Sequence, residues 1–340
     1  TRTGREPVRE YDFELRLAAR LEDEGLPGET PVSDPALIAR QLGTSVVGAG
    51  ARIMDLVAVG RGPALDRRQR ISARSIPPAA VESDVPVGTA RPVTEAIDAP
   101  PDVAREVAVA AAERGFFELT RRDGQLLARQ AVRYPDWFGP LVGIENKPDL
   151  GSPGDLAAQL RRDRSLQVLD AVVLATASHV TRAHRHRLPS QIGIWQVDPE
   201  GPEIEVIRDP ARLAPERPSF EIRAEQPGAY AVEPVSPAAK ARQRRRIAER
   251  AYGKGWRPDA LPACANLQPE TVAGTAGLPS CAWAGRLVEP SAECGPDCPG
   301  IDPGPAPAVD LAAERARRSA WEPDPPGAAR RQSFLDRFQG

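Results

Sequence analysis

The chain has 340 residues, of which 41% are hydrophobic and 27% charged, and its 45 basic and 47 acidic side chains give a formal net charge of −2 at pH 7. This composition excludes collagen-like, fibrous and wholly disordered chains and is typical of a protein that buries a sizeable core. The sequence has no run of about 18 apolar residues and no apolar segment of a secretory signal near its start, so we expect a cytoplasmic protein without a membrane span.

Helical and strand patterns alternate in the first sixty residues. Apolar residues at helical spacing predict a helix over residues 9–24. An Asp-Pro pair that suits a helix N-terminus predicts a second, short helix over residues 34–42. Residues 45–59 are apolar and β-branched, and glycines interrupt them. They predict two strands, or a hairpin whose second arm contains Asp55.

Residues 60–130 have the composition of an insertion. Residues 60–100 are rich in proline and polar side chains, so we expect little regular structure there beyond short strands. Residues 101–115 predict a helix, and Asp123-Gly124 between two apolar runs predicts a β-hairpin. A helix followed by a hairpin is typical of the end of a winged helix and also of an ordinary αββ insertion, and both interpretations stay open.

A strand–helix–strand alternation follows the insertion. Residues 141–146 predict a buried strand, residues 152–167 a helix with a Ser-Pro-Gly-Asp start, and residues 169–177 an apolar strand. A connection of this kind indicates that the two strands are parallel. A short helix over residues 180–187 and a strand over residues 192–197 continue the pattern.

Acidic side chains on two of these strands form a candidate catalytic site. Glu145 and Lys147 are two residues apart, so their side chains are expected on the same side of the strand, and Asp55 supplies a second carboxylate from a neighbouring strand. Mg²⁺ is commonly bound by one or two carboxylates together with substrate phosphate oxygens. The pattern therefore predicts a Mg²⁺ (or Mn²⁺) site for phosphodiester hydrolysis, with Lys147 orienting water or stabilising the developing negative charge.

Two other interpretations of these residues stay open. An exposed ion pair between Glu145 and Lys147 would contribute less than about 1 kcal/mol and would have no catalytic meaning, although a central apolar strand rarely carries charge without a function. Asp136, in a Pro-Asp dipeptide before the strand, is the alternative to Asp55 as the first acid. We favour Asp55, because it lies within an apolar strand, whereas Asp136 precedes a Gly-Pro turn.

This arrangement resembles the PD-(D/E)xK nuclease superfamily over roughly residues 9–59 and 141–197. The resemblance is carried by Asp55, the Glu145-Asn146-Lys147 triplet and the helix that follows it. It implies an α/β fold with a restriction-endonuclease-like core, in which helices flank a mixed sheet. It also implies catalytic roles for Gln159, in the helix after the acid-x-Lys strand, and for Glu14, an acid of the first helix that approaches the metal. The chain as a whole resembles an uncharacterised family from halophilic archaea, which implies no function.

Basic residues predict contacts with nucleic acid. A predicted helix over residues 236–257 carries eight Lys or Arg residues against one acid. Four arginines at spacings of three, four and eight can share a face, and they predict contacts with the DNA backbone: Arg242, Arg245, Arg246 and Arg250. His184, in a basic segment after a strand, is predicted to contact phosphate. A solvated surface is the alternative in both places.

Four cysteines predict a metal site in a Cys-rich C-terminal module. They lie close together in the sequence, which in a cytoplasmic chain favours a local metal site over a disulfide framework: Cys264, Cys281, Cys294 and Cys298. Four thiolates bind Zn²⁺ tetrahedrally, so structural zinc is the first interpretation. Some nucleases of the resembled superfamily carry a four-cysteine iron–sulfur cluster, so a 4Fe-4S cluster is the second, and free cysteines are the third.

The last ten residues resemble the peptide by which replication and repair proteins bind a PCNA-type sliding clamp. Gln332, Leu335 and Phe338 match Gln-x-x-aliphatic-x-x-aromatic, and at about three residues per turn of a 3₁₀-helix they share one face. Gln339 stands where a second aromatic residue is usual.

Together these observations predict a multidomain DNA enzyme. Its parts are a nuclease-like core (1–59 and 131–207), an inserted helix–hairpin region (60–130), a basic helix and Cys-rich module (236–300), a Pro-rich linker (301–330) and a clamp-binding tail (331–340). The predicted function is metal-dependent hydrolysis of DNA phosphodiesters in repair or replication. The alternative is a catalytically inactive DNA-binding or adaptor protein that keeps the fold.

Overall fold

A six-stranded mixed β-sheet with helices on both faces forms the centre of the computed structural model, which describes residues 9–33, 36–48, 52–199, 201 and 203–329. The elements of the first half are α1 (Glu10–Glu24), β1 (Leu37–Gly43), β2 (Ile53–Arg61), α2 (Leu65–Gln69), α3 (Pro78–Val81), β3 (Arg91–Pro92), α4 (Val93–Ala96), α5 (Pro101–Glu113), β4 (Phe117–Arg122), β5 (Gln125–Gln130), β6 (Phe138–Asn146), α6 (Leu156–Leu166) and β7 (Ala171–Thr176). Those of the second half are α7 (Arg182–Arg187), β8 (Gly193–Val197), β9 (Ile204–Arg208), β10 (Ser219–Gln226), β11 (Ala229–Val235), α8 (Pro237–Lys254), β12 (Glu270–Val272), β13 (Thr275–Leu278), β14 (Ser280–Cys281), β15 (Arg286–Leu287), α9 (Pro290–Glu293), α10 (Leu311–Arg318) and α11 (Pro326–Ala329).

The strand order of the sheet is β1-β2-β6-β7-β8-β9. β1, β2 and β6 are antiparallel, β6, β7 and β8 are parallel, and β9 returns antiparallel to β8. The prediction that the strands on either side of the crossover helix are parallel is confirmed. Since α6 connects β6 to β7, the helix begins next to the carboxyl end of β6.

Both faces of the sheet are covered by apolar packing. On one face, Leu160 of α6 and Ile247 of α8 pack in the same cluster as Val172 of β7. On the other face, α1 inserts the stripe that its sequence predicted, including Phe13 and Leu17. Each such side chain contributes about 1.5–3 kcal/mol when it is fully buried. The sheet is therefore central, and its middle strands have little contact with solvent.

The insertion between β2 and β6 has its own small core. The predicted helix over 101–115 is confirmed as α5, and the predicted hairpin as β4 and β5, with both turn residues, Asp123 and Gly124, at positive φ. β3 adds a third strand beside β5. Residues 60–100 contain the short helices α2, α3 and α4, which the sequence did not predict.

A buried ion pair joins the insertion to α8. The Arg68 guanidinium, with no exposed side-chain surface, donates to Glu249, with Nε 2.9 Å from Oε2. Glu249 also accepts from the Ile76 amide at 2.7 Å and from the Tyr134 hydroxyl at 2.8 Å. The Arg68 guanidinium stacks on the Tyr252 ring, 4.1 Å from its centroid. These five residues lie in the insertion, in the segment that leads from it to β6, or on α8, so this network fixes how the insertion sits on the core.

The C-terminal third is packed more closely onto the core than its composition predicted. α8 contributes Ile247 and Tyr252 to the main core, so it is not a separate unit with the Cys-rich module. Within the segment predicted as a linker (301–330), residues 311–321 are held against the core. The Trp321 indole donates to the Ala73 carbonyl at 2.8 Å, and the Arg315 guanidinium donates to the Tyr252 carbonyl. Large side chains with buried partners hold this segment in place despite its prolines.

Three local predictions are wrong because tertiary contacts override the local signals. The helix predicted over 34–42 is strand β1 from Leu37 onward, since its apolar residues are buried by pairing with β2. The segment 45–59 contributes one strand, β2, whose hairpin partner is β1. α6 begins at Leu156 and not near residue 152, because Gly154 has a left-handed φ of 58° that interrupts the first turn. In the part of the chain that the structure describes, none of the helices has the length and apolar character needed to span a bilayer.

Candidate active site

Asp55 and Glu145 face each other on neighbouring central strands. β2 and β6 pair with Leu56 opposite Ile144 and Val57 opposite Gly143, and one further step in this register places Asp55 opposite Glu145. Side chains directly opposite in an antiparallel pair have Cβ atoms about 4.5–5.5 Å apart. Glu145 is buried, at 6% exposure, and Asp55 is half-buried. The register therefore places the two carboxyl groups side by side on the inner strands β2 and β6.

Backbone and side-chain donors hold both carboxyl groups in place. Asp55 Oδ2 accepts from the backbone amide of Asn146 at 2.8 Å, and Oδ1 accepts weakly from Gln41 Nε2 at 3.4 Å. Glu145 Oε2 accepts from Arg52 Nη2 at 2.5 Å. Each carboxyl group keeps accepting capacity beyond these bonds, because an ionised carboxylate offers about four lone-pair sites.

The raised pKa values of Asp55 and Glu145 indicate that the site disfavours a negative charge on both carboxyl groups at once. Burial, and next the proximity of Asp55, raise the pKa of Glu145 to about 8, although Arg52 acts in the opposite direction. Burial also raises the pKa of Asp55, against the Asn146 amide and Arg52, which lower it. Carboxyl groups that share a poorly solvated site repel each other when both are ionised. A bound cation would relieve that repulsion.

Glu14 of α1 is the third acid near this pair. It is buried, and it accepts from Arg40 Nε at 2.6 Å and from Gln41 Nε2 at 3.0 Å. Burial raises the pKa of Glu14 and Asp55 adds to the shift, whereas Arg40 opposes it. The Gln41 amide touches both Glu14 and Asp55, and its residue lies in β1 at a positive φ of 54°. Glu14 therefore lies beside the pair, but Arg40 neutralises it.

Lys147 and Gln159 make no hydrogen bond to either carboxyl group among the described residues. Lys147 Nζ donates to Glu10 Oε1 of α1 at 2.6 Å, which raises the Lys147 pKa, and Glu145 adds to this shift electrostatically. Gln159 is half-buried on α6, one turn before Asp163 and on the same side of the helix.

Arg52 and Asp163 belong to the site and were missed by the sequence analysis. Arg52 Nη2 bridges Glu145 Oε2 at 2.5 Å and Asp163 Oδ2 at 2.8 Å, and Arg52 Nε lies 3.1 and 3.2 Å from the two Asp163 oxygens. Asp163 is buried on α6. Leu160 follows Leu156 by four residues and Asp163 follows Leu160 by three, so Asp163 lies on the apolar face of α6 that the two leucines form. A single acid on an otherwise apolar helix face is the sequence signal by which Asp163 could have been recognised as a site residue.

Asp136 does not share a site with Glu145. It is exposed and precedes β6, whereas Glu145 is near the last residue of that nine-residue strand. At about 3.3 Å per residue, the strand separates them by more than about 25 Å. The alternative first acid is therefore wrong on geometry, because an extended strand cannot bring its two ends together.

The basic residues predicted to contact nucleic acid have different surroundings. His184 caps α7: its Nδ1 accepts from the Thr181 amide at 3.3 Å and its own amide donates to Thr181 Oγ1 at 3.2 Å. Arg246 makes two bonds, of 2.7 and 2.8 Å, to the Glu82 carboxylate. Within the described ranges, the other three arginines of the predicted set make no side-chain hydrogen bond or ion pair: Arg242, Arg245 and Arg250.

The four cysteines lie in one module and are all free thiols. Burial raises the pKa of Cys294, and the other three thiols add to the shift, so each of the three is within electrostatic reach of Cys294. Cys264 is buried with Leu261, Leu267 and Val288 in a small apolar cluster. Over the residues for which coordinates are described, no set of three or more His, Cys, Asp or Glu side chains is arranged to hold a metal ion. The zinc prediction therefore stays a prediction, and the predicted clamp-binding residues Gln332, Leu335 and Phe338 lie outside the described residues.

Comparison with known families adds one result. A model described as "Family of unknown function (DUF5787)" matches residues 37–303. The chain belongs to this family. The matched range of DUF5787 begins at β1, so it includes Asp55, Glu145 and all four cysteines but not Glu14 on α1. Comparisons with curated proteins and with solved structures gave no match.

Proposed function

We propose that this DUF5787 protein is a metal-dependent DNA nuclease that hydrolyses phosphodiester bonds in repair or replication. The observation that carries the proposal is the pair of facing carboxyl groups, Asp55 and Glu145, on the central strands β2 and β6. Proteins rarely bury two acids side by side without a use for them, because each raises the free energy of the other's ionised form.

The chemistry of these residues fits a hard divalent cation. Asp55 and Glu145 offer carboxylate oxygens, and two such groups are enough for Mg²⁺ when substrate oxygens complete the coordination, so a set of three protein ligands is not required. When bound, Mg²⁺ or Mn²⁺ supplies Lewis-acid chemistry at the phosphoryl group and lowers the pKa of water. Lys147 places a positive charge within electrostatic reach of Glu145, where negative charge develops, and Gln159 lies on the side of α6 that carries Asp163.

The topology supports the same proposal. The order α1-β1-β2-β6-α6-β7, with the insertion between β2 and β6, includes the helix after the acid-x-Lys segment that carries part of the resemblance to restriction-endonuclease-like nucleases. The mixed sheet with helices on both faces agrees with that fold class. Asp55 and Glu145 fall on adjacent strands of this sheet, and Lys147 follows directly after the last residue of β6.

Metal-dependent cleavage tests the proposal. The full chain is incubated with linear, nicked and single-stranded DNA in the presence of Mg²⁺, Mn²⁺ or a chelator. We expect cleavage with either cation and none with the chelator. One observation favours the alternative function, a catalytically inactive DNA-binding or adaptor protein. Arg52 donates to Glu145 and Lys147 donates to Glu10, so both candidate catalytic side chains already have partners within the protein. DNA binding without cleavage under every cation condition would establish that alternative.

Structural zinc at the four cysteines is the second part of the proposal. The module around Cys264 has a small apolar cluster of its own, and small modules of this kind are commonly stabilised by a metal. We expect purified protein to contain one zinc per chain by elemental analysis. Replacing Cys294 and Cys298 together by Ser should remove the zinc and lower the melting temperature. A brown protein that contains iron would indicate the 4Fe-4S alternative, and metal-free protein would contradict both.

The exposed face of α8 is proposed to contact the DNA backbone. Arg242, Arg245 and Arg250 have no internal hydrogen-bond or ion-pair partner in the part of the chain that the structure describes, so their charge is free for phosphates. Reversing all three to Glu should weaken DNA binding and flatten the dependence of log affinity on log salt by up to about 3, since each phosphate contact contributes a slope of about −0.9. Arg105→Glu, an exposed arginine on α5, serves as the control. An unchanged affinity and slope would rule out this contact.

The C-terminal residues are proposed to bind a PCNA-type sliding clamp. Leu335 and Phe338 are apolar anchors three residues apart, and tethering to a clamp raises the effective DNA concentration at the enzyme. The Leu335→Ala/Phe338→Ala double variant should lose clamp binding in a pull-down and keep cleavage of short DNA, whereas Ser333→Ala should keep both. Clamp binding equal to that of the parent chain would contradict the proposal.

A further inference from the structure

Arg52 is the internal cation of the candidate site, and its contacts are unequal. Three of its contacts reach Asp163, two from Nε and one from Nη2, whereas a single contact from Nη2 reaches Glu145. Its Nη1 donates to the Ile53 carbonyl. Arg52 lies immediately before β2, and its side chain is only 10% exposed. The guanidinium is therefore anchored on Asp163 and shared with Glu145.

The contacts of Arg52 allow its guanidinium to stay in position when Glu145 binds another group. Arg52 and Asp163 line a cleft of about 100 Å³ between α6 and β10, together with Arg162 and Arg223. Giving up the single bond to Glu145 leaves the forked contact with Asp163 intact, which is the stronger, charge-assisted arrangement. The structure thus contains a cation with two carboxylate partners, one of which can be released.

We propose that Arg52 is a positioning residue that occupies the Glu145 carboxylate in the metal-free protein and competes there with the divalent cation, and that Asp163 is the anchor that retains Arg52 when the cation binds. This inference rests on the proposed function, because it takes Glu145 as a cation ligand. It explains why Asp163 is buried on the apolar face of α6, where an unpaired acid would be costly. Arg52 stays bonded to the Glu145 carboxyl group until the cation arrives.

The test uses a variant pair that leaves the net charge of the site unchanged. Arg52→Gln alone would leave Asp163 buried without a partner and would destabilise the fold, so the informative variant is Arg52→Gln/Asp163→Asn, which removes one charge of each sign. Mn²⁺ binding to the full chain without DNA is measured by titration calorimetry. We expect the double variant to bind Mn²⁺ at least about tenfold more tightly than the parent. Arg162→Gln, which removes a neighbouring charge without a bond to Glu145, should change the affinity less than about twofold.

A second variant guards against misfolding of the first. Arg52→Lys keeps the charge but cannot form the fork with Asp163 and reach Glu145 at once, so it should also tighten Mn²⁺ binding, to a smaller extent. Equal Mn²⁺ affinities of the parent, the double variant and Arg52→Lys would overturn the inference. If the parent nevertheless binds Mn²⁺ through Glu145 and cleaves DNA, the proposed function stands and only the role of Arg52 fails. If no chain binds Mn²⁺, both fail.

Discussion

Replacing Glu145 by Gln is expected to lower metal-dependent DNA cleavage by at least about 10³-fold and to leave DNA affinity within about twofold of the parent value. The amide keeps the size of the side chain but removes one of two carboxylates, and a thousandfold loss corresponds to about 4 kcal/mol of transition-state stabilisation. The amide oxygen of the new side chain can still accept a hydrogen bond from Arg52, so the fold around it should persist. The cleavage rate is measured at saturating Mg²⁺, and the DNA affinity is measured in the presence of a chelator.

Glu205→Gln is the matched control. Glu205 lies on β9 at the edge of the same sheet and is exposed, so its loss changes the net charge equally and should leave cleavage within about twofold. If Glu145→Gln cleaves DNA like the parent, Glu145 is not a ligand and the nuclease proposal fails. If both variants lose activity alike, the effect is one of general charge.

The same variant has a pH-dependent effect on stability. In the metal-free protein, burial and Asp55 raise the pKa of Glu145 to about 8. A carboxyl pKa that is raised on folding contributes stability that is present below its ordinary value near 4.5 and is lost as the pH rises towards 8. The melting temperature of the metal-free parent should therefore fall relative to that of Glu145→Gln between about pH 5 and pH 8. Parallel melting profiles would show that Glu145 is ionised throughout this range.

Glu249→Ala is expected to have the largest effect on folding. It leaves the Arg68 guanidinium buried without its carboxylate, and it removes the acceptor of the Ile76 amide and the Tyr134 hydroxyl. Breaking a buried ion pair by removing one partner costs about 3–5 kcal/mol. We expect a loss of this size in the free energy of unfolding, measured by urea denaturation with a probe in the insertion and another in the sheet.

Glu82→Ala is the control, because it breaks the ion pair with Arg246 that also joins the insertion to α8. The Arg246 side chain is 46% exposed, so this pair should contribute less than about 1 kcal/mol. Equal losses from Glu82→Ala and Glu249→Ala would mean that burial of the Arg68 network does not determine how the insertion is held.

Much of the fold follows from local patterns. The apolar stripe of α1, the strands β6 and β7 with α6 between them, and the Asp123-Gly124 hairpin are written in periods of 3.6 and 2 residues and in turn chemistry. Within the site, Asp55 and Glu145 were found because charges stand out in apolar strands. Each of these signals depends only on residues that are close together in the chain, so it can be recognised from the sequence alone.

Contacts between distant segments decided the rest. β1 has a helix-like start, but pairing with β2 buries its apolar residues. The described part of the Pro-rich C-terminal segment is held by Trp321 and Arg315, which find their partners 248 and 63 residues earlier in the chain. The sequence by itself determined α1, the β4–β5 hairpin, β6, α6 and β7, and it singled out Asp55 and Glu145. Only the tertiary structure decided that Asp55 faces Glu145, that Asp136 is far away and that Arg52 bridges to Asp163, because strand register and helix docking bring together residues whose separation along the chain carries no such information.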